Sequence, residues 1–402
     1  MCRLNSASIS FSFLLLCALL LWSGTVLGAE APAAEDEEAA LFAELDALLR
    51  DPLEDAAPRA EAATPRRIWQ TTAATGVRFG YTTNALLSKE ALAMPYITAR
   101  MDATMMAFEE ARSLTFMISG ENRRFLGEAA PDDERLALAL ARVEKEVPLV
   151  DLGAEAGALH AKQAFDAAAA VPQVPDAGFV TQTLPFARVW VRHYPFPRTA
   201  LEWSLRGDRA FFGDSADDFA SATARLRLSH SLWPGVLIHV AGERTESRYE
   251  RRSLRLDNGF PVADSRLRLE TWRAEAELEV RAGERLPFRA AVRAYAEDRD
   301  DTMRGYYARA SRGVEARAVV RRGGWRATLH GRYEDSPFST RRVSPVSVDT
   351  VTQRRRGGSV SLERSLGRWR IAGQAQRIRF LSNAAFESYT VNQYELSADF
   401  YF

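Results

Sequence analysis

ESYTVNQYELSADFYF, residues 387–402, closes the chain and decides its fold class. Successive side chains of a β-strand point to opposite faces of a sheet, so every second residue belongs to one face. One face of this stretch becomes apolar and aromatic towards Leu396 and Phe402, and the other carries Glu395 and Asp399. The alternation predicts a two-sided β-strand rather than a helix.

The same period of two residues recurs from Thr71 to the end of the chain. In Trp325–Tyr333, apolar residues and glycine alternate with arginine, threonine and histidine. In Trp272–Val280, the apolar set alternates with one arginine and three glutamates. Aromatic residues at the ends of apolar bands are typical of strands that cross a membrane. The apolar faces carry these aromatic residues: Trp203, Trp233, Trp272, Trp325, Trp369, Phe400 and Phe402.

Short and long connections alternate between the predicted strands. Seven short turns and eight long polar loops join sixteen strands, of which the first begins near Gly76. Closing so many strands into a ring removes the exposed sheet edges that they would otherwise present. We therefore predict an all-β fold, an antiparallel up-and-down transmembrane β-barrel of about 16 strands. A count of 14 is the alternative, because Leu136–Val143 also fits a helix.

The N-terminal part of the chain has a different composition. Residues 1–28 are predicted to be a secretory signal peptide, with Arg3 followed by an apolar core and a small-residue cleavage context. Residues 29–70 form a predicted periplasmic leader, rich in alanine, proline and acidic residues. Within residues 35–50, leucines at helical spacing predict a short N-terminal periplasmic helix, which could dock in the pore or on a periplasmic partner. The alternative is a marginal helix in a flexible tail. Residues 71–402 form the predicted barrel.

Charge and cysteine content exclude several classes of protein. The chain has 53 basic and 53 acidic residues, so its formal net charge is zero. A nucleic-acid-binding protein would carry a basic excess, and we predict no nucleic-acid partner. Cys2 and Cys17 both fall in the predicted signal peptide. The predicted mature chain therefore has neither a disulfide framework nor a thiolate metal site.

The polar residues do not form a recognisable catalytic motif. The five histidines are isolated in sequence, without HExxH spacing, and no G-x-S-x-G is present. The acidic clusters near Asp214 and Asp298 lack the spacing and glycine of an EF-hand loop. We therefore predict no catalytic residue, no metal site and no cofactor, and we do not predict an enzyme.

The charged faces of the strands are the candidate functional residues. A barrel of about sixteen strands is wide enough for an aqueous channel, and charged wall residues need water or a partner of opposite sign. Charge on the wall then influences which ions pass. The residues predicted to line the lumen are Arg100, Asp102, Glu202, Arg206, Arg225, Arg227, Arg273, Glu275, Glu277, Arg293, Glu315, Arg317, Arg326, Arg332 and Glu395.

Together these features resemble the outer-membrane β-barrels of Gram-negative bacteria, over about residues 71–402. The resemblance implies an outer-membrane location with lipid and lipopolysaccharide around the barrel. It also implies that Phe402 is the terminus recognised by the barrel-assembly machinery. The opening Gly80–Asn84 is similar to the G-Y-x-x-N of some export-associated barrels.

For function, we predict a porin-like channel for passive diffusion of small hydrophilic solutes or ions. The alternatives are a structural or ligand-binding barrel with a closed lumen, and an export pore for polysaccharide or lipoprotein.

Overall fold

The computed structural model describes residues 68–402 except 86–91, 110, 128–132, 167–176, 214–216, 257–259, 283–286, 302–304, 344–346 and 385–387. The predicted signal peptide, and the predicted leader up to residue 67 with its helix over residues 35–50, lie outside the described residues. In the part of the chain that is described, no helix is long and apolar enough to cross a membrane.

Sixteen antiparallel strands form a closed ring in the described residues, which confirms the predicted fold class and the count of 16 rather than 14. Each strand pairs with its neighbours in sequence, and the last strand pairs with the first. The strands are β1 (Ile68–Thr82), β2 (Met94–Glu109), β3 (Arg112–Phe125), β4 (Glu134–Val147), β5 (Val150–Asp166), β6 (Ala177–Phe196), β7 (Thr199–Phe212), β8 (Phe219–Trp233), β9 (Val236–Tyr249), β10 (Arg268–Ala282), β11 (Phe288–Asp300), β12 (Arg309–Arg322), β13 (Trp325–Arg342), β14 (Thr350–Leu366), β15 (Trp369–Ser382) and β16 (Tyr389–Tyr401).

The apolar face of the strands is exposed, as the alternation predicts. Phe79 is 59% exposed and Leu396 is 58% exposed, although both lie in the middle of paired strands. In a water-soluble sheet protein such positions would be the buried core. Six of the seven aromatic residues predicted for this face are also exposed, with Trp203 at 58% and Trp272 at 54%, and Phe400 is partly buried. The hydrophobic surface of the barrel therefore points outward.

Strand β4 explains why Leu136–Val143 fits two kinds of structure. Its leucines and alanines alternate, and leucines Leu138 and Leu140 are buried while Ala137 and Ala139 are exposed. The larger apolar residues thus face the barrel interior, and the small residues face outward. Pairing with β3 and β5 along its whole length overrides the high helix propensity of alanine and leucine.

The seam between β1 and β16 closes the ring. Nine residue pairs join these strands, from Ala74 opposite Tyr401 to Thr82 opposite Gln393, whereas fifteen pairs join β1 and β2. Beyond the paired residues, the amide of Phe402 donates to the carbonyl of Ala73 at 3.0 Å. The final residues of the chain therefore take part in closing the barrel.

Candidate functional site

Contacts between strands that are not neighbours identify the inner face of the barrel. Neighbouring strands lie about 4.8 Å apart, so side chains two strands apart meet only where the sheet curves towards them. Arg78 on β1 reaches Glu121 on β3 at 3.3 Å, and Arg225 on β8 pairs with Glu275 on β10. These contacts place the charged face of the strands on the concave side.

An ion-pair network covers the inner face from β8 to β13. Glu275 pairs with Arg225, and it lies 3.8 Å from both Arg273 and Arg293. Arg293 continues the network to Glu315 on the next strand. Arg332 on β13 then approaches Glu315 at 3.6 Å. The network thus brings together six of the residues predicted for the lumen, because the register between the strands places their charges side by side on the inner face. These six residues are Arg225, Arg273, Glu275, Arg293, Glu315 and Arg332.

Two smaller groups hold other predicted residues. Glu202 accepts hydrogen bonds from Arg188 at 2.9 Å and from Arg192 at 2.7 Å. Near the seam, Glu395 accepts from the Tyr96 hydroxyl at 2.6 Å and lies 3.8 Å from Arg123. These groups join β6 to β7 and join β16 to β2 and β3.

The remaining predicted residues either form ion pairs within their own strand or lie nearer the short turns than the network does. Arg100 pairs with Asp102 at 2.5 Å, and Arg206 approaches Asp208 at 3.2 Å. Residues nearer the short turns at the ends of their strands are Arg227, Glu277, Arg317 and Arg326. Sequence reasoning missed Glu334, which lies at the end of the network beside Arg332. Its position on the polar face of β13 is the signal that was available.

Among the residues that the structure describes, four inward aromatic rings pack against glycines on the neighbouring strand. We call each such unit a glycine–aromatic–arginine stack, because a guanidinium group also lies over each ring. A Cβ on any of the four glycines would overlap the ring opposite it, so only glycine leaves the ring room to lie against the wall. The stacks are Gly80–Tyr96–Arg123, Gly153–Trp190–Arg188, Gly157–Phe186–Arg206 and Gly313–Tyr295–Arg273.

The stacks set the position of lumenal charge. The guanidinium carbons lie 4.4–5.3 Å from the ring centroids, within the range of cation–π attraction. Trp190 carries a second guanidinium, from Arg142, at 4.8 Å. An arginine held against a ring and a carboxylate loses much of its freedom to move, so these cations are fixed on the wall.

An apolar cluster occupies part of the inner face, which the prediction of a polar interior did not include. Leu159 and Leu184 on β5 and β6 are only 2% and 0% exposed, and Phe219 on β8 belongs to the same cluster. Residues 250–267, which we call the β9–β10 loop, add Leu254 and Leu267 to it. Because these leucines join side chains of the inner face, the loop folds over the interior of the barrel.

Backbone hydrogen bonds fix the β9–β10 loop in place. The amide of Val262 donates to the carbonyl of Leu254 at 2.8 Å, and Arg255 and Pro261 form an antiparallel bridge, so the two described arms of the loop pair with each other. The amide of Glu250 donates to the carbonyl of Asp218 at 2.9 Å, which ties the loop to the connection between β7 and β8. Arg252 lies over the rings of Tyr249 and Tyr307. The long-loop end of the barrel is therefore narrower than the strands alone would make it.

One histidine lies beside two carboxylates, although the sequence shows it as isolated. His239 on β9 and Glu277 and Glu279 on β10 offer ligand atoms within 4.8 Å of one another. However, Glu279 already pairs with Arg281 and with Arg289, and the latter pair is 3.0 Å long. Two guanidinium groups at this carboxylate oppose a divalent cation, so the group is better explained as part of the ion-paired wall.

Comparisons with known proteins give matches at the level of structure. No protein-family model matches the chain, and no curated protein matches it. Pseudomonas aeruginosa OccK1 (OpdK) is similar at 9% identity and a TM-score of 0.45, over 83% of this chain and 98% of that chain. A loop L8 deletion mutant of OmpT, an outer membrane protein of Vibrio cholerae, is similar at 9% identity and a TM-score of 0.43, over 84% and 99%. Acinetobacter baumannii OccAB1 is similar at 8% identity and a TM-score of 0.46, over 83% and 96%.

The barrel class is established by the strand pairing of the chain itself. A sixteen-stranded closed antiparallel ring with an apolar outer face is the architecture of outer-membrane β-barrels. The predicted resemblance to that class is confirmed at the level of the fold. A shared fold does not define a function, which must come from the residues of the site.

Proposed function

We propose that the chain is an outer-membrane channel through which small hydrophilic solutes or ions diffuse passively. The observation that carries the proposal is the ion-paired wall on the inside of a closed ring whose outside is apolar. Charged groups are costly to remove from water, and a wall of them supports a hydrated interior. In this proposal the charged residues predicted from the sequence line the path, and Phe402 is the terminus used in membrane assembly.

The same outer surface supports the proposed location and partners. Exposed apolar patches of this extent are unfavourable in water and suit a lipid bilayer. Lipid and lipopolysaccharide would surround the barrel, and the barrel-assembly machinery would insert it. The predicted signal peptide provides the route out of the cytoplasm. A periplasmic partner for residues 35–50 stays a prediction, tested by comparing partner capture before and after deletion of residues 30–66.

We expect purified protein to give stepwise increases of current in planar lipid bilayers. A hydrated path through the barrel conducts whenever one molecule inserts, so the current rises in equal steps. The protein is first shown to be folded by its heat-modifiable migration on gels, and a heat-unfolded sample serves as the control. Folded protein that inserts into vesicles but yields no steps in bilayers would contradict the channel proposal.

A barrel with a closed lumen is the second candidate function. The apolar cluster and the β9–β10 loop favour it, because they fill part of the interior at the long-loop end. In that case the barrel would bind surface ligands through its loops rather than conduct. The two candidates differ in the expected effect of shortening this loop on the conductance of the barrel.

A further inference from the structure

A small pocket on the inner face lies between β12 and β15. Its volume is about 30 Å³, room for about two water-sized groups such as the two oxygens of one carboxylate. The lining residues include three arginines, Arg309, Arg332 and Arg355, but one carboxylate, that of Glu334. Ser336, Gln353 and Phe380 complete the lining. The pocket thus combines an excess of guanidinium groups with a volume too small for a large solute.

Glu334 does not neutralise all three arginines. Its carboxylate accepts hydrogen bonds from the Tyr295 hydroxyl at 2.6 Å, from Arg332, and from the Ser336 hydroxyl at 3.1 Å. A carboxylate offers about four lone-pair sites, so three donors nearly saturate it. Arg332 is committed to this carboxylate and to Glu315. The negative charge of Glu334 is therefore taken up by donors of the barrel wall itself.

Arg355 is the cation that remains for a ligand. It lies directly opposite Glu334 on one neighbouring strand and Phe380 on the other. Among the residues that the structure describes, its side chain has no hydrogen bond and no ion pair. Gly357, two residues further along the same face, has no side chain to cover it. A guanidinium group that faces a pocket and forms no ion pair with a carboxylate can bind an anion there.

We propose that this pocket binds a single small anionic group, with Arg355 as its principal partner. The planar guanidinium fork suits two oxygens of one carboxylate, and chloride is the inorganic ion that also fits the volume. The inference deepens the proposed channel function, because it gives the inner wall a preferred class of solute. The pocket itself exists whether or not the barrel conducts.

The run Arg354–Arg356 provides matched controls. Neighbouring strand residues point to opposite faces, so Arg354 lies on the outer face and pairs with Asp335 at 2.9 Å. Arg354→Gln and Arg355→Gln remove the same charge one residue apart on the same strand. Arg355→Lys keeps the charge but loses the planar fork, and it separates simple electrostatics from carboxylate recognition.

The first measurement is binding without conduction. Purified protein in detergent is unfolded by heat in rising potassium acetate or potassium chloride, with ionic strength balanced by potassium sulfate. We expect acetate to raise the unfolding temperature of the wild type and of Arg354→Gln. Arg355→Gln should weaken this dependence roughly tenfold in acetate concentration, since a charge-assisted hydrogen bond is lost. Equal dependence in both glutamine variants would overturn the proposal. A chloride effect equal to that of acetate would show that the pocket binds small anions in general and has no preference for a carboxylate.

The second measurement is ion preference in planar bilayers under a gradient of potassium acetate. Arg355→Gln should shift the reversal potential towards potassium, whereas Arg354→Gln should not. An unchanged reversal potential in a conducting Arg355→Gln variant would show that the pocket is not on the path, and would overturn its role in solute preference. If no variant conducts, the channel proposal fails, and the thermal measurement alone decides the pocket.

Discussion

A methyl group added at Gly153 is expected to lower the free energy of unfolding by about 1–3 kcal/mol, because it overpacks an ordered wall. Gly153 lies directly opposite Trp190, and a Cβ there would overlap the indole ring. The ring has little freedom to move, since Arg142 and Arg188 both pack on it. The measurement is the fraction of folded protein, scored by gel migration, across a series of urea concentrations for Gly153→Ala.

Gly120→Ala is the matched control for this prediction. A Cβ on Gly120 meets no atom within 4 Å, so the same substitution there should be nearly neutral. A double-mutant cycle with Trp190→Ala tests the cause, because removing the ring should remove the cost of the Cβ. Equal losses of stability at Gly153 and Gly120, or a cost that persists without the indole, would show that the stack does not constrain the wall.

Replacing residues 253–265 by a short glycine–serine linker is expected to raise single-channel conductance roughly twofold or more, because conductance follows the open section of a pore. Leu254 and Leu267 hold the β9–β10 loop on the inner apolar cluster, at 3% and 1% exposure. Removing the loop also exposes the leucines beneath it to water, so thermal stability should fall. The measurement is the step size in planar bilayers, with the folded state verified on gels.

A pair of point substitutions tests the same loop with less disturbance. Leu254→Asp puts a charge into the cluster and should loosen the loop, whereas Val348→Asp changes a side chain that is 88% exposed. We expect Leu254→Asp to increase the conductance or its fluctuations, and Val348→Asp to leave both unchanged. A silent wild type that becomes conducting without the loop would support the closed-lumen candidate. Unchanged conductance in the loop-shortened barrel would place the loop outside the path.

The strand pattern could be predicted because a period of two residues is local information. Each strand carries its own division into an apolar and a charged face, so Glu395 and Leu396 can be assigned to opposite faces from the sequence. The count of sixteen follows from turn residues between these segments. Predicting β4 was harder, since alternating leucine and alanine suits a helix as well as a strand. Its leucines face inward, where Leu138 and Leu140 belong to the same apolar cluster as Leu254 and Leu267 of the β9–β10 loop.

The contacts of the inner wall required the register between strands. Gly153 and Trp190 are separated by a long connection, and no local signal shows that they lie opposite each other. The run Arg354–Arg356 looks like one basic surface cluster in the sequence. The structure separates it, with Arg355 on the inner face and Arg354 paired on the outer face. The inward position of the β9–β10 loop also depends on long-range packing rather than on its own composition.

The seam between β1 and β16 has a consequence for how the barrel folds. Joining the two strands brings together residues about three hundred positions apart, as in the 2.6 Å contact of Tyr96 with Glu395. Bringing distant segments together lowers the entropy of the chain before the stabilising contacts between them can form. Such pairings therefore form slowly. The pairing of β1 with β16 also has fewer contacts to offset this entropy cost, because nine residue pairs join these strands and fifteen join β1 with β2. Ring closure is therefore expected to come late in folding, after the pairing of strands that are neighbours in sequence.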